Sequence, residues 1–460
     1  MHESDPDLGT IELMKKIKTG ALRRRLSLGI AGAKSGAGLL GSSLSGLLVS
    51  EDKKEEHKAQ ALEREAKRFV AELGQLKGAY VKIGQMLALY GEHLLPPAVT
   101  KALHTLEAQT TAIEWSQVAI NLEEKFDHSK LNIEKEAFAA ASLSQVHRAS
   151  LDKKAVCLKI QYPGIAEAID ADFKHVLQML KLSRWAKSSR HLEQVTKQLK
   201  QHLVEEVDYA MELEKAEKVR QYLDGDKRYL IPQYYVSYCD STVLTMDFIQ
   251  AADVNDQAVQ NLSLERRNRI AVAMLELFFA EAFDWGLIQT DPNFGNYRIL
   301  IDQKGENDQL VLLDFGAVHY FEPEFQLSLK KTILGTWGGH DQEIIDGLIG
   351  LHCLREDDDD EVKQSFIEFC CLLMEPFLED FSTVPAKALN ENGVYNWYKS
   401  DLLKRSGKLG AKSMIHKGFT LPPSEFMLIA RKLTGVFSFV CAIKAEFNAS
   451  ELLNLYKESS

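Results

Sequence analysis

Residues 287–316 read LIQTDPNFGNYRILIDQKGENDQLVLLDFG. Asp291 is followed five residues later by Asn296, and two apolar runs, NYRILID and QLVLLDFG, flank the turn-forming QKGEND. The runs have the length and β-branched content of strands, so the stretch predicts a hairpin with polar residues at its ends. The second run closes on Asp314-Phe315-Gly316. Two carboxylates and an amide at strand and loop ends make an oxygen-rich site suited to a hard cation. Such a site serves phosphoryl transfer, where the protein does little covalent work and metal ions bridge the phosphates. Asp314 and Asn296 are the candidate metal ligands, and Asp291 is the candidate for orienting, or taking a proton from, an attacking hydroxyl or water. A lone Asp-Phe-Gly is weak; the ordered pair is far more specific.

The ordered pair has the layout of a kinase catalytic loop and metal site. About 130 residues earlier, AVCLKI puts Ala155, Cys157 and Lys159 on one face of a strand and Val156, Leu158 and Ile160 on the other. Lys159 is then the candidate phosphate-binding lysine. It needs a counter-charge on the next long helical region, 165–223, and Glu212 is the candidate. A charge pair at 4 Å is worth about 4 kcal/mol at an effective dielectric of about 20. Ala139, Ala140, Ala141 and Ser142 stand where a protein kinase has glycines. Glycine lets backbone N–H groups approach phosphate at positive φ, so an alanine loop should cover nucleotide differently.

The rest of the chain bounds the reading. The 460 residues carry 45% apolar content and a formal charge of −11. No long basic stripe occurs, which argues against nucleic acid as a partner. Six cysteines lack C-x-x-C spacing, so neither a zinc site nor a disulfide framework is indicated. Acidic residues near Met1 argue against a transit peptide. The expected localisation is cytoplasmic, with peripheral membrane association open. Residues 13–50 combine basic positions 15–25 with an apolar Gly/Ala/Ser tract. The uncharged run at 35–50 is shorter than the roughly 20 residues a spanning helix needs. The string GAKS is no phosphate loop, because Leu28 and Ala33 stand where glycines are required. Phe69, Leu73, Leu76, Tyr80, Ile83 and Leu87 recur at helical spacing, and a further helix is expected over 97–109. The acidic run at 355–362 reads as an exposed loop. The apolar stretch at 425–445 contains Arg431, Lys432 and Lys444, which mark it as a packed helix and not a membrane span.

These strings, with Lys82-Ile83-Gly84-Gln85 and Glu206-Val207-Asp208, resemble the UbiB-like, aarF-domain-containing atypical kinase family, nearest the subgroup associated with ubiquinone biosynthesis. The resemblance covers about residues 70–445. It implies an α+β, protein-kinase-like two-lobed fold with a small β-containing N-lobe, a mainly α C-lobe and an N-terminal helical extension folded over the active site. The implied organisation is a segment 1–60, an extension 61–130, an N-lobe 131–250 and a C-lobe 251–460. By resemblance Lys82 and Gln85 form a K-x-G-Q motif, and Glu206 and Asp208 an E-x-D motif, that gate the site. On an ideal helix Lys82 and Gln85 share a face, as do Asp208 and Glu212, whereas Glu206 falls off the latter. The resemblance matches Lys159, Glu212, Asp291, Asn296 and Asp314 to the kinase lysine, helix glutamate, catalytic-loop pair and metal Asp. Two departures stand out: Gln289-Thr290-Asp291 lacks the histidine many members carry, and Ser144 replaces a glycine.

The implied function is an MgATP-binding (or ADP-binding) ATPase or phosphotransferase supporting isoprenoid quinone biosynthesis or lipid metabolism. Its partners would be nucleotide, a small-molecule or lipid substrate, an anionic membrane surface and quinone-biosynthesis proteins. The other readings are a pseudokinase scaffold for a biosynthetic complex and a peptide-directed protein kinase. The absence of an A-P-E string after Asp314-Phe315-Gly316 speaks against the last.

The basic and apolar tract at 13–50 is expected to add affinity for anionic membranes, at about 1 kcal/mol per basic residue near the surface. Co-sedimentation with anionic liposomes should be stronger for the full chain than for a chain starting at Glu51. Equal sedimentation means the segment is only a lead-in.

Overall fold

The computed structural model describes residues 51–457 apart from 77, 91–94, 109–111, 123–125, 127–128, 186–189 and 414–421. The tract at 13–50 lies outside the described residues. The chain divides into two compact units. One runs through Leu213 and includes Gln233–Phe248; the other comprises Glu214–Pro232 and Ile249 onward.

In the first unit the apolar periodicity belongs to two helices, α1 (Glu51–Leu76) and α2 (Ala79–Tyr90), followed by α3 (Pro97–Leu103). The helix expected over 97–109 is shorter, because a 3₁₀ turn, His104–Ala108, takes over after Leu103. Phe69, Leu73, Leu76, Tyr80, Ile83 and Leu87 all lie in the core. That core is continuous with Val156, Leu158 and Ile160 of the sheet, so the extension and the sheet share one apolar interior.

Strands β1 (Leu131–Ala140), β2 (Ser144–Leu151) and β3 (Lys154–Gln161) form an antiparallel meander. Asp152 and Lys153, both at positive φ, make the β2–β3 turn. A two-residue strand, β4 (Tyr229–Leu230), belongs to the second unit, and β5 (Val243–Asp247) returns to pair with β3. The sheet order is β1-β2-β3-β5, so Lys159 stands on an interior strand.

The expected helical stretch 165–223 is three helices: α4 (Ile165–Leu182), α5 (Arg190–Glu206) and α6 (Tyr209–Tyr222). The last break has a local cause. Asp208 Oδ1 accepts a hydrogen bond from the Met211 amide, as a helix-starting residue does. The Val207 carbonyl, left without a helical partner, accepts instead from Gln161 Nε2 at 2.7 Å. Asp208 and Glu212 are therefore not two positions on a continuing α5. Asp208 opens a new helix that carries Glu212 in its first turn.

The second unit contains a three-stranded sheet, β4-β8-β7, and a two-stranded one, β6-β9. Strand β6 is Leu287–Gln289, β7 Tyr297–Leu300, β8 Gln309–Leu312 and β9 Val318–Tyr320. In the β7–β8 turn Asp302 accepts from the amides of Lys304, Glu306 and Asn307. Helix α7 (Leu264–Phe279) continues into a π-helical turn, Ala280–Trp285. Five further long helices follow, α8 (Pro323–Gly338), α9 (Asp341–Gly350), α10 (Asp360–Leu373), α11 (Leu402–Ser413) and α12 (Ser424–Ala442). No helix among the described residues is long and apolar enough to cross a membrane. The six cysteines are free thiols.

Gly84 of the K-x-G-Q string sits where α2 packs on α3 and the following turn. A Cβ there would collide with Leu106 Cδ1 and lie 3.4 Å from Leu73 and 3.5 Å from Leu103. Gly84→Val is expected to lower unfolding stability by about 1–3 kcal/mol through overpacking. Urea denaturation measures this, and a midpoint unchanged from the parent would contradict the packing account.

Candidate active site

In the first unit, β3 delivers Lys159 with its stem against the sheet and its amine toward α6. Lys159 Nζ donates to Glu212 Oε1 at 2.8 Å and to Oε2 at 3.0 Å. The Glu212 side chain is fully buried and that of Lys159 is 16% exposed. The Tyr209 ring lies 5.4 Å from the same amine. A buried carboxylate gripping a partly accessible amine with both oxygens fixes the cation's position without enclosing it.

Lys82 of α2 pairs with Glu206, the last residue of α5, at 2.5 Å. Gln85 Nε2 donates to the Leu106 carbonyl at 3.3 Å, so it braces the turn after α3. Asp208 is exposed and caps α6. The structure thus brings Lys82 to Glu206 and Lys159 to Glu212. The two carboxylates lie on either side of the Val207–Asp208 break, which is why an ideal helix could not align them.

The alanine loop joins β1 and β2. The Ala141 amide is spent on the Ser144 carbonyl at 2.8 Å, and Tyr162 Oη donates to the Ala141 carbonyl at 3.0 Å. Nearby, Gln145 Oε1 accepts from the Ile113 amide, and its Nε2 donates to the Ile113 carbonyl and to His147 Nε2. His147 Nδ1 faces the Glu134 carbonyl, which can only accept, so the proton sits on Nδ1. Burial holds His147 below its ordinary pKa, in keeping with a neutral ring.

In the second unit the hairpin register assembles the oxygen donors. Tyr297 of β7 opposes Leu312 of β8, and one step outward the Leu313 amide donates to the Asn296 carbonyl at 3.0 Å. Asn296 and Asp314 therefore leave the same end of the hairpin. Strand β6 pairs with β9 through Gln289 and Val318, and the Thr290 amide donates to the Ala317 carbonyl. This holds Asp291 beside the Asp314-Phe315-Gly316 turn, where Asp314 Oδ1 accepts from the Gly316 amide at 2.9 Å. Lys215, buried at the far side of α6, donates to the carbonyls of Gly316 and Val318.

The Asp291 carboxylate is engaged at both oxygens. Asn296 Nδ2 donates to Oδ2 at 3.2 Å and to the Asp291 carbonyl at 3.0 Å, while Arg431 Nη2 donates to Oδ1 at 3.0 Å. With its amide nitrogen so placed, Asn296 has its amide oxygen left for a cation. Mg²⁺ is commonly held by one or two protein carboxylates plus substrate phosphates. Asp314, Asn296 and the phosphates of a nucleotide fit that requirement. Among the described residues no group of three or more His, Cys, Asp and Glu side chains forms a separate metal cage.

Arg431 was visible in the sequence only as a charge in an apolar stretch. Its neighbour Lys432 is completely buried on α12, 2.7 Å from Glu281 in the π-helical turn and 3.0 Å from Tyr297 Oη. Tyr297 Oη in turn donates to Gln289 Oε1 at 3.2 Å. Burial disfavours the ammonium, but the Glu281 carboxylate and the Tyr297 hydroxyl outweigh it and hold Lys432 above the ordinary lysine range. Gly435, one turn on, leaves room for Pro292, whose Cβ a side chain there would strike. The loop from Asp291 to Asn296 thus meets α12 through the Arg431–Asp291 ion pair and the close approach of Pro292 to Gly435.

Such an arrangement defines a kinase-like fold: a lysine–glutamate pair on a small antiparallel sheet, and the Asp291–Asn296 loop beside the Asp314-Phe315-Gly316 turn in a mainly helical unit. The ABC1 atypical kinase-like domain matches residues 102–346, more than half of the chain. The chain belongs to that family. It is 28% identical over 453 residues to the mitochondrial atypical kinase COQ8B of Rattus norvegicus, covering 97% of this chain and 82% of that protein. It is 27% identical to the probable serine/threonine-protein kinase abkA of Dictyostelium discoideum, covering 85% and 70%. Against the mitochondrial atypical kinase coq-8 of Caenorhabditis elegans the identity is 28%, and the chain spans about half of that protein (51%). A solved structure, the complex of Rv3197 with erythromycin from Mycobacterium tuberculosis, has the same fold, with a TM-score of 0.55 and 21% identity over 87% of this chain and 97% of that one.

Lys432→Met alone should cost about 3–5 kcal/mol, because it strands the buried Glu281 carboxylate, while the double change Lys432→Met, Glu281→Leu should recover most of that loss. Chemical denaturation of the two variants checks this. A double variant as unstable as the single one would show that the pair stabilises through something other than mutual neutralisation.

Proposed function

We propose that this chain binds MgATP and catalyses ATP hydrolysis or phosphoryl transfer to a small-molecule or lipid acceptor, in support of isoprenoid quinone biosynthesis or lipid metabolism. The observation that carries the reading is the hairpin register that brings Asn296 and Asp314 out at one end, with Asp291 beside them. In this reading Asp314 and Asn296 hold Mg²⁺, which when bound neutralises charge on the β- and γ-phosphates. Lys159, oriented by Glu212, faces the phosphates. The backbone of Ala139, Ala140, Ala141 and Ser142 covers the nucleotide. Asp291 receives the proton of the attacking oxygen.

The proposed acceptor class is supported by what comes after Asp314. Only residues 317–322 separate Gly316 from α8, and half of them are the β9 strand paired to β6. That leaves no long segment of the kind on which protein kinases dock peptides. Lys82 and Gln85, with Glu206 and Asp208, are proposed to gate access for a smaller or lipidic acceptor. The quinone assignment comes from the family resemblance and from the relatives named COQ8 atypical kinases. An untargeted lipid and quinone profile of a deletion strain tests it.

Asp314→Asn should abolish Mg²⁺-dependent nucleotide binding while leaving the fold intact. At a nucleotide concentration 100 times the dissociation constant, binding stabilises the parent by about 2.7 kcal/mol. Thermal shift with MgATP reads the difference, and equal stabilisation of both proteins would sink the metal assignment.

A further inference from the structure

The loop from Asp291 to Asn296 contains no cation: its residues are Asp, Pro, Asn, Phe, Gly and Asn. Asn293, two positions past Asp291, turns its side chain back onto the Gly295 amide and shapes the loop. Phosphoryl transfer spreads negative charge over the equatorial oxygens of the moving group, and positioned cations stabilise it there. Several cations of this unit have other work. Lys432 is buried on Glu281, Lys215 is buried on two backbone carbonyls, and Arg298 pairs with Asp253.

Arg431 differs. Its guanidinium touches Asp291 through one nitrogen, and both side chains are 28% exposed. A guanidinium offers five N–H groups in a planar fork, and the remaining donors of Arg431 have no hydrogen bond to described residues. Its neighbours pack the helix that carries the fork. Lys432 anchors α12 on one side of it, Gly435 seats the helix against Pro292, and Phe439 packs edge-on to Phe294 and Tyr297. A partly exposed cation held at one edge by the Asp291 carboxylate can meet the phosphoryl group that this carboxylate is proposed to serve.

We propose that Arg431 is a catalytic residue, an arginine supplied from the C-terminal helix that stabilises the transferring γ-phosphoryl group. The inference rests on the MgATP reading given above. In the step it serves, the acceptor oxygen of water or of a hydroxyl forms a bond to the γ-phosphorus. The bond from that phosphorus to the β–γ bridging oxygen breaks, and its electron pair leaves with ADP. The acceptor proton passes to Asp291. Arg431 donates to an equatorial oxygen throughout and is unchanged at the end. It sits outside the segment matched by the family, residues 102–346.

The test uses the full chain with Arg431→Gln and Arg431→Lys, each also in an Asp291→Asn background. Steady-state ATP turnover, MgADP affinity and affinity for MgADP–aluminium fluoride, a mimic of the transferring phosphoryl group, are measured. Arg431→Gln should lower kcat about 10²–10³-fold and weaken the aluminium fluoride complex by a similar factor, with MgADP affinity held within about twofold. Arg431→Lys should restore part of both. The loss of aluminium fluoride affinity should persist in the Asp291→Asn background, where a residue acting only through Asp291 would add nothing. Unchanged kcat, unchanged aluminium fluoride affinity, or a loss that vanishes beside Asp291→Asn each overturns the proposal while leaving the nucleotide site standing. A parent chain that binds no MgADP overturns the reading of the site itself, and this inference falls with it.

Discussion

A lysine with no solvent exposure must find a partner for its charge or give up its proton, and Lys432 finds Glu281. Residues before and after the Asp291–Asn296 loop meet that demand. Glu281 reaches the interior from a π-helical turn, a local widening of α7 that re-aims side chains an α-helix would point elsewhere. Tyr297 closes the group from the first position of β7, directly after Asn296. Gln289, joined to Tyr297, comes from the strand that precedes Asp291. The ion pair therefore reaches the residues on both flanks of the Asp291–Asn296 loop. A buried pair is seldom retained for stability alone, since apolar residues of the same volume often do as well. Here it fixes one arrangement of loop, hairpin and helix.

The first unit uses the opposite device, an interruption. Two helices that could have been one are broken at Val207–Asp208. The freed Val207 carbonyl is taken up by Gln161, at the end of the strand that carries Lys159. The break gives each carboxylate its own lysine: Glu206 for Lys82 and Glu212 for Lys159. Gln161 thus joins the strand that carries Lys159 to the break that separates Glu206 from Glu212.

Much of this was legible in the sequence where it follows from local rules. The β7–β8 hairpin is announced by β-branched runs around QKGEND, and the alternation of AVCLKI tells which face Lys159 takes. The two-lobed kinase-like fold follows from the order of such elements and from the family strings. The helix break at 207–208 escaped the sequence reading. Apolar periodicity continues across it, and Asp208 signals a helix start only if a stop is already known. In the sequence Arg431 and Lys432 argue only against a membrane span, and adjacent residues on a helix point in different directions. Their separate partners, Asp291 and Glu281, lie 140 and 151 positions back in the chain. No periodicity encodes contacts at that separation. The roles of the alanine loop and of Gln85 were likewise beyond pattern: each depends on which backbone group a side chain or amide meets.

The stretch by which the family is recognised stops at residue 346, and α12 begins at Ser424. The boundary of resemblance is thus not a boundary of folding. A fragment trimmed to the matched stretch would keep every signature residue from Lys159 to Asp314 and lose the helix on which their loop rests. Glu281 would be left as a lone buried acid, Asp291 without its guanidinium, and the aromatic seat of Phe294 would open to water. Inactivity measured on such a piece would say nothing about the chemistry of the intact chain. In this chain the matched stretch marks only part of what folds together, and the helix that supports the Asp291–Asn296 loop lies beyond it.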